Sequence, residues 1–177
     1  MIWPFRKSSK PSDAVYAAYN VIVAQSRQPV FYADWSIADT VTGRFNMICL
    51  HMSLVLRRLR KHDDKAFGQD LFDLFFADMD RSMREMGVGD VSVPKRIEKM
   101  GGIFYGLLEK LTEALDSGDL KEVEAVISRN LLDEDNPQFA TAFANYAMDC
   151  AVSLEKQDAA RILTGDFSFV EPGRVNA

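Results

Sequence analysis

Apolar positions recur along the chain at steps of three and four residues, the spacing that lines up one face of an α-helix. Residues 14–26 are mostly apolar, and between residues 43 and 61 the series Phe45, Ile48, Met52, Val55 and Leu59 marks a single face. Residues 66–86 repeat the pattern with Phe72, Phe75, Met79, Met83 and Met86. A third stripe follows Pro94, through Ile97, Gly101, Phe104, Leu108, Leu111 and Leu115, and a shorter one runs through Val123, Ile127 and Leu131. The last long helix opens at Asn136-Pro137 and carries Phe139, Phe143, Tyr146, Cys150 and Leu154; a brief apolar turn, 159–163, precedes a tail where Phe167 and Phe169 alternate with polar residues. The pattern predicts an all-α protein, a single compact bundle of about six helices with an aromatic connector after the first helix and an extended C-terminal tail.

Boundary signals agree with this division. Ser12 or Asp13 caps the first helix, and residues 27–39, with Pro29, Phe31, Tyr32 and Trp35, form a packed connector. Thr42 is the expected N-cap of the next helix, whose last turn is crowded by Arg57, Arg58, Arg60 and Lys61, where the helix dipole favours positive charge. Asp80 and Arg84 are spaced as an i,i+4 ion pair, Gly87 and Gly118 stop helices, and Asp119 with Glu122 resembles a capping box. Gly101, Gly102 and Gly106 fall inside a predicted helix, where each costs up to about 1 kcal/mol relative to alanine. Close approach of another backbone is the expected reason.

Composition places the chain among ordinary globular domains, with 177 residues, 47% hydrophobic and 27% charged. We divide it into a flexible basic and aromatic tail, 1–11, and a helical domain, 12–177. Two distant cysteines, Cys49 and Cys150, fit a reducing compartment better than a disulfide framework. The net charge of -5 conceals an asymmetry: residues 1–65 hold 10 Lys/Arg against 5 Asp/Glu, and residues 66–177 hold 11 against 21. The acidic total argues against DNA binding, while the basic first third could face phosphate on a membrane or a ribosome. Charge-free stretches such as 14–26 reach only 13 residues, short of the roughly 18 that a membrane span needs. The N-terminus lacks an apolar signal region and reads as mature and cytoplasmic. In the tail, Trp3 and Phe5 are suited to a bilayer interface and Arg6, Lys7 and Lys10 to anionic lipid.

Catalytic signatures are few: two histidines, no phosphate loop and no metalloprotease or nucleophile-elbow motif. His51 lies on a stripe with Arg44, Met47, Leu54 and Arg58, and two flanking arginines would repel a metal ion, so packing or recognition is its expected role. Asp78 and Asp80 point about 200° apart around a helix and cannot share one ion; a salt-bridged face is expected, and Asp133-Glu134-Asp135 is expected to be a solvated turn. Met47, Met52, Met79, Met83, Met86 and Met100 are read as core filler, with an adaptable groove for an apolar helix as the alternative. Neither a metal nor a cofactor is expected.

Several blocks, in order, resemble the ubiquinol-cytochrome c chaperones, which assist assembly of the cytochrome bc1 complex. They are Asp39-Thr40-Val41-Thr42-Gly43-Arg44-Phe45 with Leu50-His51 and Arg58-Leu59; Asp78-Met79-Asp80 through Arg84-Glu85-Met86-Gly87-Val88-Gly89-Asp90; Val93 and Lys95; Phe104-Tyr105-Gly106; and Leu163-Thr164-Gly165. The resemblance implies a helical, non-enzymatic assembly factor that binds newly made cytochrome b, with a small partner protein and the translating ribosome as further contacts. It implies a place on the cytoplasmic face of a bacterial inner membrane. The client-binding surface expected from it comprises Asp39, Thr40, Arg44, Phe45, His51, Arg58, Phe104, Tyr105 and Gly106. Two other classes compete: a helical enzyme acting on an isoprenoid or quinone through the carboxylates between Asp70 and Asp80, and a ribosome- or RNA-binding module using Arg57, Arg58, Arg60, Lys61 and Lys65.

Overall fold

Helix α3 (Val41–Leu59) is buried on nearly every side: Met47, Cys49, Leu50 and Leu54 are as inaccessible as the predicted stripe of Phe45, Ile48, Met52, Val55 and Leu59. A helix apolar all round must be enclosed by others, and α3 packs against α1 (Asp13–Ser26), α5 (Val93–Ser117), α6 (Leu120–Leu131) and α7 (Ala140–Lys156). The remaining elements of this computed structural model, which describes residues 11–62, 65–132 and 137–173, are α2 (Pro29–Ala33), α4 (Lys65–Glu85) and the short α8 (Ala159–Ile162), with a 3-10 turn at Pro137–Phe139 leading into α7. Six helices have twelve residues or more, as the periodicity predicts, and no strand occurs among the described residues. The tail 1–10 and Asp133-Glu134-Asp135 lie outside the described residues.

Ser12 caps α1 by accepting from Val15 N, and Gly118 closes α5 in the left-handed conformation. The cap of α3 corrects the expectation. Thr40, not Thr42, accepts from Gly43 N at 3.1 Å, and the helix begins two residues earlier than its apolar stripe suggests. For Gly102 and Gly106 the expected close backbone approach is absent, and it occurs at two other glycines. A Cβ on Gly102 or Gly106 would meet nothing within 4 Å, whereas one on Gly43 would stand 2.0 Å from the Ala38 carbonyl oxygen and one on Gly165 only 2.5 Å from the Ala17 side chain. Gly43 permits the tight entry into α3, and Gly165 lets the C-terminal segment cross α1.

The connector is packed as predicted, and it contains α2. Phe31 and Trp35 are buried against α7, with Trp35 edge-on to Phe143 at 4.6 Å between ring centroids. The C-terminal segment straps over the bundle. Phe167 and Phe169 turn inward, Gln157 and Ser168 exchange two hydrogen bonds of 2.9 and 3.0 Å, and Trp35 Nε1 donates to Gly173 O.

These contrasts predict opposite outcomes for the same substitution. Gly102→Ala and Gly106→Ala, in exposed helix interior, should each raise stability by about 0.5–1 kcal/mol. Gly43→Ala should lower it by about 3 kcal/mol or more, because backbone must move to admit the methyl group. Chemical denaturation of the three variants checks this ordering.

Candidate functional site

His51 sits one turn after Met47 at the centre of α3, completely buried. Its Nδ1 lies 2.8 Å from Met47 O and 3.0 Å from Ser26 Oγ, and its Nε2 lies 2.8 Å from the Tyr146 hydroxyl. A carbonyl oxygen only accepts, so Nδ1 carries the proton and Nε2 accepts from Tyr146. The Tyr146 oxygen accepts in turn from Gln25 Nε2 at 2.9 Å, which also donates to Val170 O, while Ser26 Oγ donates to Ile22 O. Both imidazole nitrogens are therefore engaged inside the protein. Burial pulls the His51 pKa down to about 4, against an opposing contribution from the Met47 carbonyl, so the ring is neutral at physiological pH.

The stripe expected to form a surface is consequently divided. Arg58 is also buried: its Nε donates to Leu154 O at 2.8 Å and Nη2 to Gln157 O at 2.9 Å, capping the end of α7 from outside. The neighbouring basic residues hold other helix ends rather than only their own. Arg57 pairs with Asp116 of α5 at 2.8 Å and with Glu155 of α7 at 3.4 Å, and Arg60 joins the same Asp116. Arg44 alone of the stripe's charged members is exposed; it grips Asp39 with both Nε and Nη2, at 2.6 and 3.3 Å. The pair edges an open cleft of about 460 Å³ that also takes in Arg27, Pro29 and Tyr32.

Successive helical residues turn by 100°, so Phe104, Tyr105 and Gly106 cannot share one surface. Phe104 enters the aromatic core with Phe72, Phe75 and Phe76, as Phe45 does by stacking on Phe75 at 5.6 Å. Tyr105 is 41% exposed and lines a cleft of about 370 Å³ with Leu56, Arg57, Arg60, Leu108 and Thr112. Gly106 faces outward.

A third groove, of about 470 Å³, runs between the start of α3, the end of α4 and the first half of α5. Its apolar lining is Val41, Phe45, Met83, Met86, Val88, Met100 and Ile103, with Arg96 and Lys99 at the margin. The methionines thus separate: Met47, Met52 and Met83 are buried in the core, Met79 packs partly buried against it, and Met83 also floors the groove that the half-buried Met100 and exposed Met86 border. Val41, Val88, Ile103, Arg96 and Lys99 were not anticipated. The available signal was an apolar residue outside its helix's main stripe, as at Ile103 beside Phe104.

The acidic face of α4 is dispersed among separate partners. Asp78 accepts from Tyr19 Oη at 3.0 Å and pairs with Arg81; Asp80 pairs with Arg84 at 2.7 Å, and Arg84 also holds Asp90; Asp73 accepts from Gln69. Among the described residues no three His, Cys, Asp or Glu side chains converge as a metal site.

The sequence model of a family described as ubiquinol-cytochrome C chaperone matches residues 33–169. A crystal structure described as that of the Cbp3 homolog from Brucella abortus superposes with a TM-score of 0.82 at 35% sequence identity, covering 97% of this chain and 96% of that one. Comparison with curated proteins gave no match.

The buried histidine makes stability depend on pH with a definite sign. The unfolded chain takes up a proton near pH 6.5, and the folded protein resists until about pH 4. Stability is therefore full above pH 6.5 and falls as pH drops through that window, by about 2 kcal/mol between pH 6.5 and pH 5. Urea denaturation across this range should show the slope in the natural protein and a flatter profile in His51→Gln.

Proposed function

Because the chain belongs to the ubiquinol-cytochrome c chaperone family, we propose that it is a non-enzymatic assembly factor of the cytochrome bc1 complex that holds newly made cytochrome b until haem and later subunits join. The observation that carries this reading is the open, methionine-lined groove between α3, α4 and α5. A chaperone for a membrane protein must shield an apolar segment of variable shape and release it when stronger contacts form. Unbranched, polarisable Met side chains adapt to such a segment, and an open groove with a cationic margin gives moderate rather than irreversible affinity. The Arg44–Asp39 corner and the Tyr105 cleft share no lining residue with this groove and are separate surfaces.

The competing readings draw less support. Carboxylates between Asp70 and Asp80 are held apart by Tyr19, Arg81 and Arg84, an arrangement that does not suit a diphosphate-bound magnesium. Arg57, Arg58 and Arg60, the core of the proposed RNA-binding run, spend their charge on Asp116, Glu155 and the carbonyls of α7. No helix among the described residues is long and apolar enough to cross a membrane. The protein would act peripherally, on the cytoplasmic face of a bacterial inner membrane, with Trp3, Phe5, Arg6, Lys7 and Lys10 as one contact and a small assembly protein or the ribosome as further partners.

Affinity purification of the tagged protein from membranes, with and without cytochrome b expression, tests the proposal: cytochrome b should be retained, and other membrane proteins should not replace it when it is missing. Met86→Asp should reduce capture about tenfold or more while changing stability by no more than about 0.5 kcal/mol, as an exposed substitution. Capture that is unaffected by charge in the groove would overturn the assignment of the site.

A further inference from the structure

Four of the seven large hydrophobic side chains exposed among the described residues, Val41, Met86, Val91 and Ile103, gather at one corner of the molecule, where the loop 86–92 joins α4 to α5. Val91 is 87% exposed. Its exposure is imposed by a tight turn: Gly87 N donates to Arg84 O and Val88 N to Met83 O at one end, and Ser92 N and Val93 N both donate to Gly89 O at the other. The turn tucks Val88 into the groove and leaves Val91 outside it. Directly after it, α5 opens with Lys95, Arg96 and Lys99, all exposed and none in an ion pair or side-chain hydrogen bond among the described residues. Arg57 and Arg60, by contrast, are spent on Asp116, and Arg84 on Asp80 and Asp90.

We propose that this corner is a docking surface for a bilayer containing anionic phospholipid, with Met86 and Val91 entering the headgroup boundary and Lys95, Arg96 and Lys99 on the lipid phosphates. Charge complementarity is the argument. Arg96, Lys99 and Ile103 fall within about 60° of one another around α5, with Lys95 about 40° further on; Glu98 lies beyond Lys95, about 100° from Lys99 and about 60° from Lys95, at the edge of this face. The other acids close in sequence are countered from α4: Asp80 and Asp90 by Arg84, and Glu85 by the field of Arg81. A protein with a net charge of -5 is repelled by an anionic surface in most orientations, so a local cationic face selects the one that touches. Nucleic acid would use the cations but has no need of Met86 and Val91 beside them. A helix lying in the groove would leave Val91 uncovered, whereas a flat bilayer meets a protruding corner with both kinds of side chain at once. Docked this way, the groove opens beside the membrane from which a cytochrome b segment would emerge.

This deepens the function proposed above by naming the lipid-facing surface and rests on its placing of the protein at a membrane. The test uses vesicles alone, so failure here leaves client capture standing, and failure of client capture leaves vesicle binding measurable. The full-length protein should float with phosphatidylcholine vesicles that contain phosphatidylglycerol, stay behind with pure phosphatidylcholine, and lose binding in high salt. Replacing Lys95, Arg96 and Lys99 with glutamine should weaken partitioning by about fivefold per charge removed, and Val91→Asp should weaken it as well, with thermal unfolding unchanged in both. Absence of wild-type flotation would overturn the proposal. So would binding that survives both variants but is lost in Arg6→Gln, Lys7→Gln, Lys10→Gln, which would assign the contact to the N-terminal tail, or binding of RNA in place of vesicles.

Discussion

A helix whose central turns have no solvent face imposes an accounting rule on everything around it: each polar group carried there must find its partner inside the protein. α3 obeys that rule through His51. The chain from Gln25 through Tyr146 and His51 to Ser26 and Met47 fixes α1, α3 and α7 relative to one another, and the Gln25 bond to Val170 brings in the C-terminal strap. Removing a single member would leave a buried donor or acceptor unpaired, at a cost of about 1–3 kcal/mol. Arg58 works similarly at the far end of the helix, where its guanidinium satisfies the last carbonyls of α7 while its stem stays within the bundle. The exception is on α3 itself: of the buried side-chain nitrogen and oxygen atoms described, only Ser53 Oγ lacks a partner.

The number of long helices, most of their ends and the alternation of Phe167 and Phe169 with polar residues were legible in the amino-acid sequence because each rests on local periodicity or capping chemistry. The candidate site was legible only in part, for reasons that particular residues make plain. His51 and Arg58 read as the polar margin of an amphipathic helix, and that inference fails when a helix is enclosed on all sides. Their partners Ser26, Tyr146 and Leu154 come from elements 25 to 96 residues away. The apolar stripe, which starts only at Phe45, points to Thr42 rather than Thr40 as the cap, but capping follows the backbone, not the stripe. Gly43 and Gly165 drew no signal beside the mid-helix glycines, yet their missing side chains allow two segments to touch, whereas Gly102 and Gly106 face open space.

What the core consumes also determines what remains for function. Phe45, Phe75, Phe76 and Phe104 close the centre of the α3, α4 and α5 contact, while the end of α4 retains Met83 and Met86 where a bulkier aromatic would fill the gap. The groove is thus the continuation of the core past the point at which ring packing stops. Its softness and its openness have the same origin: long flexible side chains border it where rigid ones do not reach.

Charge counting illustrates how burial redirects an inference from composition. The excess of Lys and Arg in the first 65 residues suggests a basic face there, but Arg57, Arg58 and Arg60 are bound to α5 and α7, and Arg44 is closed on Asp39. Part of that excess meets the acidic excess in the rest of the chain, through Asp116 and Glu155, when the chain folds. An electrostatic surface is set by the charges that folding leaves unpaired. On that criterion the cationic face of the described bundle belongs to Lys95, Arg96 and Lys99, within the portion of the chain whose total is most acidic. The same reasoning ranks the apolar residues: Val91 matters more at the surface than the more numerous apolar residues at the centre of α3, because those are already out of water and Val91 is not.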